Sequence, residues 1–249
     1  MHALIDADLM VYRVGFVTNE EPLQTAIALL NETVEKCLAE VGADTFICYL
    51  SDSTKNGFRY KLYPEYKANR TQDKPVHYEA LRKHLINFWD AVVTEGQEAD
   101  DALGIEQTLY NHVHHSMLLE GQQEGCSQSV ICSIDKDLLQ IPGNHYNFVK
   151  NEFHHVTEEE GLYFFYKQVL MGDTSDNIGG LKGIGPKKAE KILGEVGQSE
   201  GDLLKRVCDA YISAFDGVEE AAKEALWLTA NLVNIRKKEN EKWELPKQV

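Results

Sequence analysis

The chain has 249 residues, 43% of them hydrophobic, enough to bury a core in one large domain or in one domain with a small appendage. Its five cysteines, Cys37, Cys48, Cys126, Cys132 and Cys208, are odd in number and form no C-x-x-C pair, which argues against a disulfide framework or a thiolate zinc site and points to a reducing, intracellular setting. Neither the opening MHALIDAD nor any later stretch approaches the roughly 20 apolar residues that span a bilayer, and the net charge of -15 excludes a uniformly basic nucleic-acid binder, so the placement of charge matters more than its sum.

The first apolar run, residues 3–5, ends at Asp6. Leu23, Ile27, Leu30, Val34, Cys37 and Val41 then recur at helical spacing, and residues 46–50 form a second apolar run, a βαβ rhythm. Between Ser53 and Lys83 eight Lys or Arg stand against three acids, Glu65, Asp73 and Glu79. That local charge of +5 is either a phosphate-binding surface or a solvated loop. Helices are predicted over 78–88 and 100–110 and strands over 91–93 and 130–134, which makes an α/β fold with a mostly parallel sheet flanked by helices. Residues 121–128, rich in Gly, Gln and Ser, read as an exposed loop. After Asn151 the strand signals fade, Thr157 with Glu160 forms a capping box, and helices are expected to the end. The organisation read from this is a catalytic α/β domain over 1–155 and a helical region over 156–249.

In an open α/β sheet, ligands gather beyond the carboxyl ends of the strands, and here those positions carry acids. Asp6 follows the first run, Asp52 the second, and Asp135 and Asp137 follow 130–134; Glu98, Asp100 and Asp101 sit in EADD at a helix start, and Asp173 and Asp176 lie three apart on one helical face. Each singly reads equally as a helix cap or a surface charge. Nine together in one crevice would repel and raise one another's pKa unless cations neutralise them, and without them the chain carries 25 basic against 31 acidic residues. An all-oxygen donor set favours hard ions, magnesium or manganese, and two ions roughly 4 Å apart would serve an in-line phosphate displacement without a covalent intermediate.

Residues 181–189, LKGIGPKKA, place two glycines around one apolar residue, then proline at a first helical turn and two lysines, the pattern of a helix-hairpin-helix. The hairpin of Gly183 and Gly185 can offer backbone N–H groups to a phosphate while Lys182, Lys187 and Lys188 add charge, gripping duplex backbone without reading its sequence. The alternative is an ordinary turn. The histidines at 112, 114, 115, 154 and 155 read as solvated, and the segment 236–247, with five basic residues and three acids, as a charged exposed end.

These motifs in this order resemble the flap endonuclease and 5′→3′ exonuclease family, which includes phage members and the exonuclease domain of bacterial DNA polymerase I. The resemblance covers about residues 1–193: LID with Tyr12-Arg13 downstream, FRYKLYPEYKANR over 58–70, EADD at 98, SIDKD at 133, and MGDTSDNI at 171 running into GIGPKK. It implies a PIN-like α/β domain, an arch or gateway over 53–83, and a helix-three-turn-helix over 181–193. It implies further that Asp6, Asp52, Glu98, Asp100 and Asp101 surround one magnesium and Asp135, Asp137, Asp173 and Asp176 a second, with manganese able to substitute and a potassium ion at the hairpin. Lys67 and Arg70 would contact the scissile phosphate as catalytic residues, Tyr66 would stack on a base, and Arg13, Lys182, Gly183, Gly185, Lys187 and Lys188 would contact DNA.

Three departures stand out. The first motif reads DAD, so Asp8 is an extra acid of open role; Gly179-Gly180 stands where relatives often have Pro-Gly, which would loosen the approach to the hairpin; and no clamp-binding tail of the form QxxLxxFF is found. The expected activity is hydrolysis of DNA near 5′ flaps, nicks or free ends by a soluble, cytoplasmic monomer of bacterial or phage origin, in primer removal, replication or repair, with an RNA–DNA hybrid as a further substrate. The rivals are a non-catalytic binder of branched DNA and a PIN-type or hybrid ribonuclease.

Overall fold

The computed structural model describes residues 1–119 and 128–246; all of the expected loop at 121–128 except Gln128, Cys126 included, and Lys247 lie outside them. A six-stranded sheet runs β3 (Val92–Val93), β2 (Thr45–Leu50), β1 (His2–Asp6), β4 (Ser129–Cys132), β5 (Gly143–Asn147), β6 (Glu152–Val156). All its neighbours pair in parallel except the last, where β6 returns antiparallel to β5.

The two faces of the sheet follow from the period of two along its strands. Ala3 and Ile5 of β1, Cys48 and Leu50 of β2 and Val130 and Cys132 of β4 turn to one side. There they meet α1 (Ala7–Val17), α2 (Leu23–Glu40) and, beyond the short α3 (Phe58–Leu62), α4 (Tyr78–Phe88). Leu4, Tyr49 and Ile131, one residue out of phase, pack on the other side with Leu103 of α5 (Ala99–Leu119). Every residue of β1 is buried, because both faces are covered and strands flank it on both edges. Cys37, Cys48, Cys132 and Cys208 are buried and free.

Beyond the sheet, α6 (Glu158–Met171) opens on the expected capping box, with the Thr157 hydroxyl accepting the Glu160 N–H and the Glu160 carboxylate accepting the Thr157 N–H. A short hairpin of β7 (Gly172–Asp173) and β8 (Ile178–Gly179) leads to α7 (Pro186–Leu193), α8 (Glu200–Ala214) and α9 (Glu219–Val233). These helices enclose a second core around Tyr166, Val169, Val207, Tyr211 and Leu226. Past α9 the chain folds back: Trp243 N–H donates to the Asn231 side chain, which donates in turn to the Trp243 carbonyl, each at 3.0 Å. Among the described residues no helix is long and apolar enough to cross a membrane.

The structure departs from the sequence expectations in three places. The strand signal does not end at Asn151: β5 and β6 close the sheet, although GNHYN and EFHHV lack an apolar alternation, because β6 is an edge strand held by its ladder and largely exposed. In the gateway segment only residues 58–62 and the return from Tyr78 are helical; Pro64 and the left-handed backbone of Lys67, at φ 55°, break the stretch between. The Gly179-Gly180 approach is not loose. Gly179 pairs with Gly172, Leu181 N–H donates to Leu170 O, and a Cβ on Gly180 would fall 2.1 Å from the Met171 carbonyl carbon, so a side chain there is excluded by backbone.

Candidate active site

The ends of β1, β2 and β4 and the start of α5 open on one crevice of about 420 Å³, with the gateway segment on its other side. Asp6, Asp52, Glu98, Asp100, Asp135, Asp137 and Asp176 line it. Asp173 joins Glu98, Asp100 and Asp137 in an adjoining small cleft. Eight of the nine expected acids are thus brought together by strand ends and helix starts.

Local hydrogen bonds fix how each acid is held. Asp6 caps α1 through Leu9 N–H and accepts the Ser133 hydroxyl at 2.6 Å. Asp135 accepts the Asp137 N–H at 2.8 Å and caps a 3-10 turn over Lys136–Gln140. Asp173 caps the next such turn through Ser175, so Asp173 and Asp176 frame a 3-10 turn and do not share the face of an α-helix. Asp52 accepts from Thr54 at both N–H and hydroxyl, and those bonds lower its pKa.

The electrostatics divide the acids in two. Burial, reinforced by neighbouring carboxylates and only partly opposed by Ser133, raises the Asp6 pKa to about 7. Burial and the nearby Asp135 likewise raise Asp137 to about 7, and burial with Asp6 and Asp135 beside it pushes Asp100 well above the carboxylate range. For Glu98 burial works against ionisation, yet Lys67 and Arg59 more than offset it and hold the carboxyl down at about 2. Asp173 is also lowered, burial being outweighed by the Ser175 hydrogen bonds with help from the Asp137 carboxyl and Lys136, but its Oδ2 is buried with no hydrogen-bond partner, the Lys136 ammonium lying 3.6 Å away.

Basic residues thread between the acids. Lys67 pairs with Glu98 and lies 3.6 Å from Asp176, Arg70 pairs with Asp176, and Lys136 Nζ stands 3.1 Å from Asp137. Lys67 N–H also donates to the Asp176 carbonyl, so the gateway docks directly on the turn that bears Asp176. With these cations interposed, no three acidic, histidine or cysteine side chains among the described residues form a ready metal cage. The donor set still fits a hard divalent cation: it is all oxygen, burial and neighbouring carboxylates push three of its carboxyls toward the neutral form that a cation would reverse, and one buried oxygen is orphaned.

Three expected site residues are placed elsewhere. Asp101 is fully buried behind the crevice, where it takes a bidentate pair from Arg59 at 2.6 and 2.9 Å and the Arg236 N–H; its oxygens are spent on the frame, which removes it from the metal set. Tyr66 is 3% exposed and packs in the helical core, its hydroxyl donating to Glu98 and Asp176, so its ring offers no face to a base. Arg13 is exposed on α1 but lines a separate groove with Glu32 and Phe148. In the hairpin, Gly183 is left-handed at φ 75°, Gly185 precedes Pro186 at the first turn of α7, and Lys182, Lys187 and Lys188 are exposed, with Lys188 Nζ donating to Gly183 O.

Other residues of the site carry no sequence signal of their own type. Arg59 donates to Asp101, Glu98 and the carbonyls of Leu232 and Asn234, tying α9 to the crevice floor. Gln168 of α6 donates to Asp137 at 2.8 Å and accepts from Gln140. Their one hint was polarity on a buried helical stripe, as with Gln168 beside Phe165 and Val169.

Residues 1–167 match the family described as "5'-3' exonuclease, N-terminal resolvase-like domain". A 5'-3' exonuclease of Buchnera aphidicola subsp. Schizaphis graminum is 31% identical over 208 residues, covering 76% of this chain and 68% of its own length. A thermostable DNA polymerase I of Thermus aquaticus is 31% identical over 223 residues, 82% of this chain but 25% of that protein, so the chain spans about a quarter of such relatives. Among solved structures, the T5 D15 protein co-crystallized with metal ions superposes with a TM-score of 0.59 at 19% identity, covering 92% of this chain and 89% of that one. The T5 5'-exonuclease described with bound zinc gives 0.51 at 18% identity over 94% and 99%. Both show the same fold.

Proposed function

The chain belongs to the 5′-3′ exonuclease family, and from that premise we propose that it is a magnesium-dependent structure-specific 5′ nuclease that hydrolyses DNA phosphodiester bonds near free 5′ ends and flaps. The observation that carries the reading is the crevice itself: acids gathered at the ends of β1, β2 and β4 and the start of α5, with burial pushing Asp6, Asp100 and Asp137 toward the neutral form, an orphaned oxygen on Asp173 in the adjoining cleft, and Lys67 and Arg70 facing them from the gateway. Asp6, Asp52, Glu98 and Asp100 would hold one divalent ion and Asp135, Asp137, Asp173 and Asp176 a second. Bound there, divalent ions lower the pKa of the attacking water and stabilise the departing oxygen.

The chain's own residues supply the rest. Lys67 and Arg70, paired with Glu98 and Asp176, are within reach of any phosphate drawn into the crevice and exchange carboxylate partners for phosphate oxygens, stabilising the charge that grows on them. Ser133 orients Asp6, and Gln168 holds one oxygen of Asp137. The exposed lysines of the hairpin and the N-terminus of α7 grip the duplex backbone away from the cut, and the Gly183–Gly185 hairpin would hold a potassium ion, which would supply positive charge beside a phosphate. RNA–DNA hybrids are cut by the same site, and the protein acts as a monomer in primer removal or repair.

Asp135→Asn tests this. The variant should lose cutting of a 5′-labelled flap duplex while binding that duplex with an affinity within about threefold of the parent; a variant that cuts at the parental rate would remove the metal-site assignment.

A further inference from the structure

Asp8 stands two residues past Asp6 in the first motif, yet both its oxygens are committed away from the other acids. Oδ1 accepts from Arg82 Nη1 at 2.7 Å and Oδ2 accepts the Ser51 N–H at 2.7 Å. The second nitrogen of Arg82, Nη2, donates to the Ser51 carbonyl, also at 2.7 Å. The Ser51 backbone is therefore held at both ends, its N–H by Asp8 and its C=O by Arg82, in a closed ring joining the first turn of α1, the end of β2 and α4. Ser51 Oγ passes the link on by accepting the N–H of Ala99, the first residue of α5.

The ring is shielded, with 18% and 7% of the two side chains exposed, so its charge-assisted bonds act with little screening. It is one of several ties at the same place. A Cβ on Gly15 would lie 2.7 Å from Pro75, showing how closely the end of the gateway packs on α1; Val76 N–H donates to Asn19; and His77 bonds the Glu21 carbonyl. The Arg82 guanidinium sits 5.6 Å from the Tyr78 ring, which itself packs against Tyr12. By contrast, residues 71–74, between Arg70 and this foot, are exposed.

We infer that Asp8 and Arg82 are a positioning pair that fixes the foot of the gateway and the Ser51–Asp52 wall of the crevice, and that Asp8 serves there instead of as a metal ligand. The inference rests on the nuclease reading of the crevice. The pair acts through two groups already assigned: Asp52, next in chain to the clamped Ser51, and Lys67 with Arg70, which hang from the segment whose far end α4 secures. The Arg82 guanidinium opposes the repulsion that an unpaired Asp8 carboxylate would add beside Asp6 and Glu98.

The test uses Asp8→Asn, Arg82→Leu, Arg82→Lys and the double variant Asp8→Asn/Arg82→Leu in the full chain, with three readouts. Amide hydrogen exchange over 48–54 and 78–88 should rise at least tenfold in Asp8→Asn and in Arg82→Leu, with the double variant no faster than the worse single. Binding of manganese(II) alone, measured by calorimetry, should stay within twofold of the parent in Asp8→Asn. Single-turnover cleavage of a 5′ flap should fall at least tenfold in each single variant with flap affinity changed less than threefold, should not fall further in the double, and should recover in part in Arg82→Lys, which can still reach Asp8 but not Asp8 and Ser51 together. Manganese binding weakened tenfold by Asp8→Asn and untouched by Arg82→Leu would make Asp8 a ligand and overturn the inference. Cleavage defects that multiply in the double variant would overturn it too. A parent protein that cuts no substrate would sink the nuclease reading, while exchange and manganese binding would still decide the role of the pair.

Discussion

Replacing Arg59 with leucine isolates the frame behind the active site from the chemistry in front of it. Arg59 is 4% exposed and its guanidinium bonds Asp101 twice, Glu98 once and the carbonyls of Leu232 and Asn234. In Arg59→Leu the fully buried Asp101 carboxylate keeps only the backbone donors of Glu98 and Arg236, both at 3.1 Å, and two carbonyls lose their partner. Breaking a buried pair from one side costs about 3–5 kcal/mol, because the surviving charge is left without compensation. For a chain of this length that corresponds to a melting temperature lower by about 6–20 °C. Urea unfolding at neutral pH, followed by circular dichroism, measures it. A loss below about 1 kcal/mol would refute the argument and reopen Asp101 to a place among metal ligands.

Lys67→Ala should cut single-turnover cleavage at saturating magnesium by about 10²–10³-fold, the cost of removing one preorganised cation from a developing charge; a rate within threefold of the parent would show that Lys67 is not catalytic. Lys187→Ala should weaken duplex binding and reduce the slope of log affinity against log salt by about 1, as for one lost phosphate contact, and an unchanged slope would place the duplex elsewhere. His145 is buried, bonded to the Ile141 carbonyl, and burial lowers its pKa to about 4. The fold therefore accepts the neutral ring, while the unfolded ring takes a proton below about 6.5, so the stability it contributes is present above that pH and is lost as pH falls toward 4. Unfolding of His145→Gln should fall less steeply over that window than that of the parent; parallel curves would contradict the burial argument.

Much of the fold was legible because its signals are local and periodic. The runs at 3–5, 46–50 and 130–134 announce a buried parallel sheet, and Asp6, Asp135 and Asp137 follow them directly, so their placement beyond the carboxyl ends of parallel strands brought acids far apart in sequence into one crevice. What escaped depends on tertiary pairing. Asp101 reads in EADD like its neighbours, and only the burial of Arg59 opposite separates it from Asp100. Tyr66 reads as an exposed gateway aromatic, but the gateway packs against α6–α9 and takes the ring into their core. The polar strands are set by register, β5 against β4 and β6 against β5, and not by apolar content. Asp8, an unexplained acid in sequence, becomes intelligible only with Arg82, 74 positions away.

The central claim is that the crevice cuts DNA at 5′ ends with the help of divalent ions. The most direct measurement incubates the full chain with a 5′-labelled flap duplex, a blunt duplex and an RNA–DNA hybrid, each with magnesium or with EDTA. Cutting near the flap junction with magnesium, abolished by EDTA, is the expected result; tight flap binding with no cutting under either condition would contradict the account and leave a binder of branched DNA.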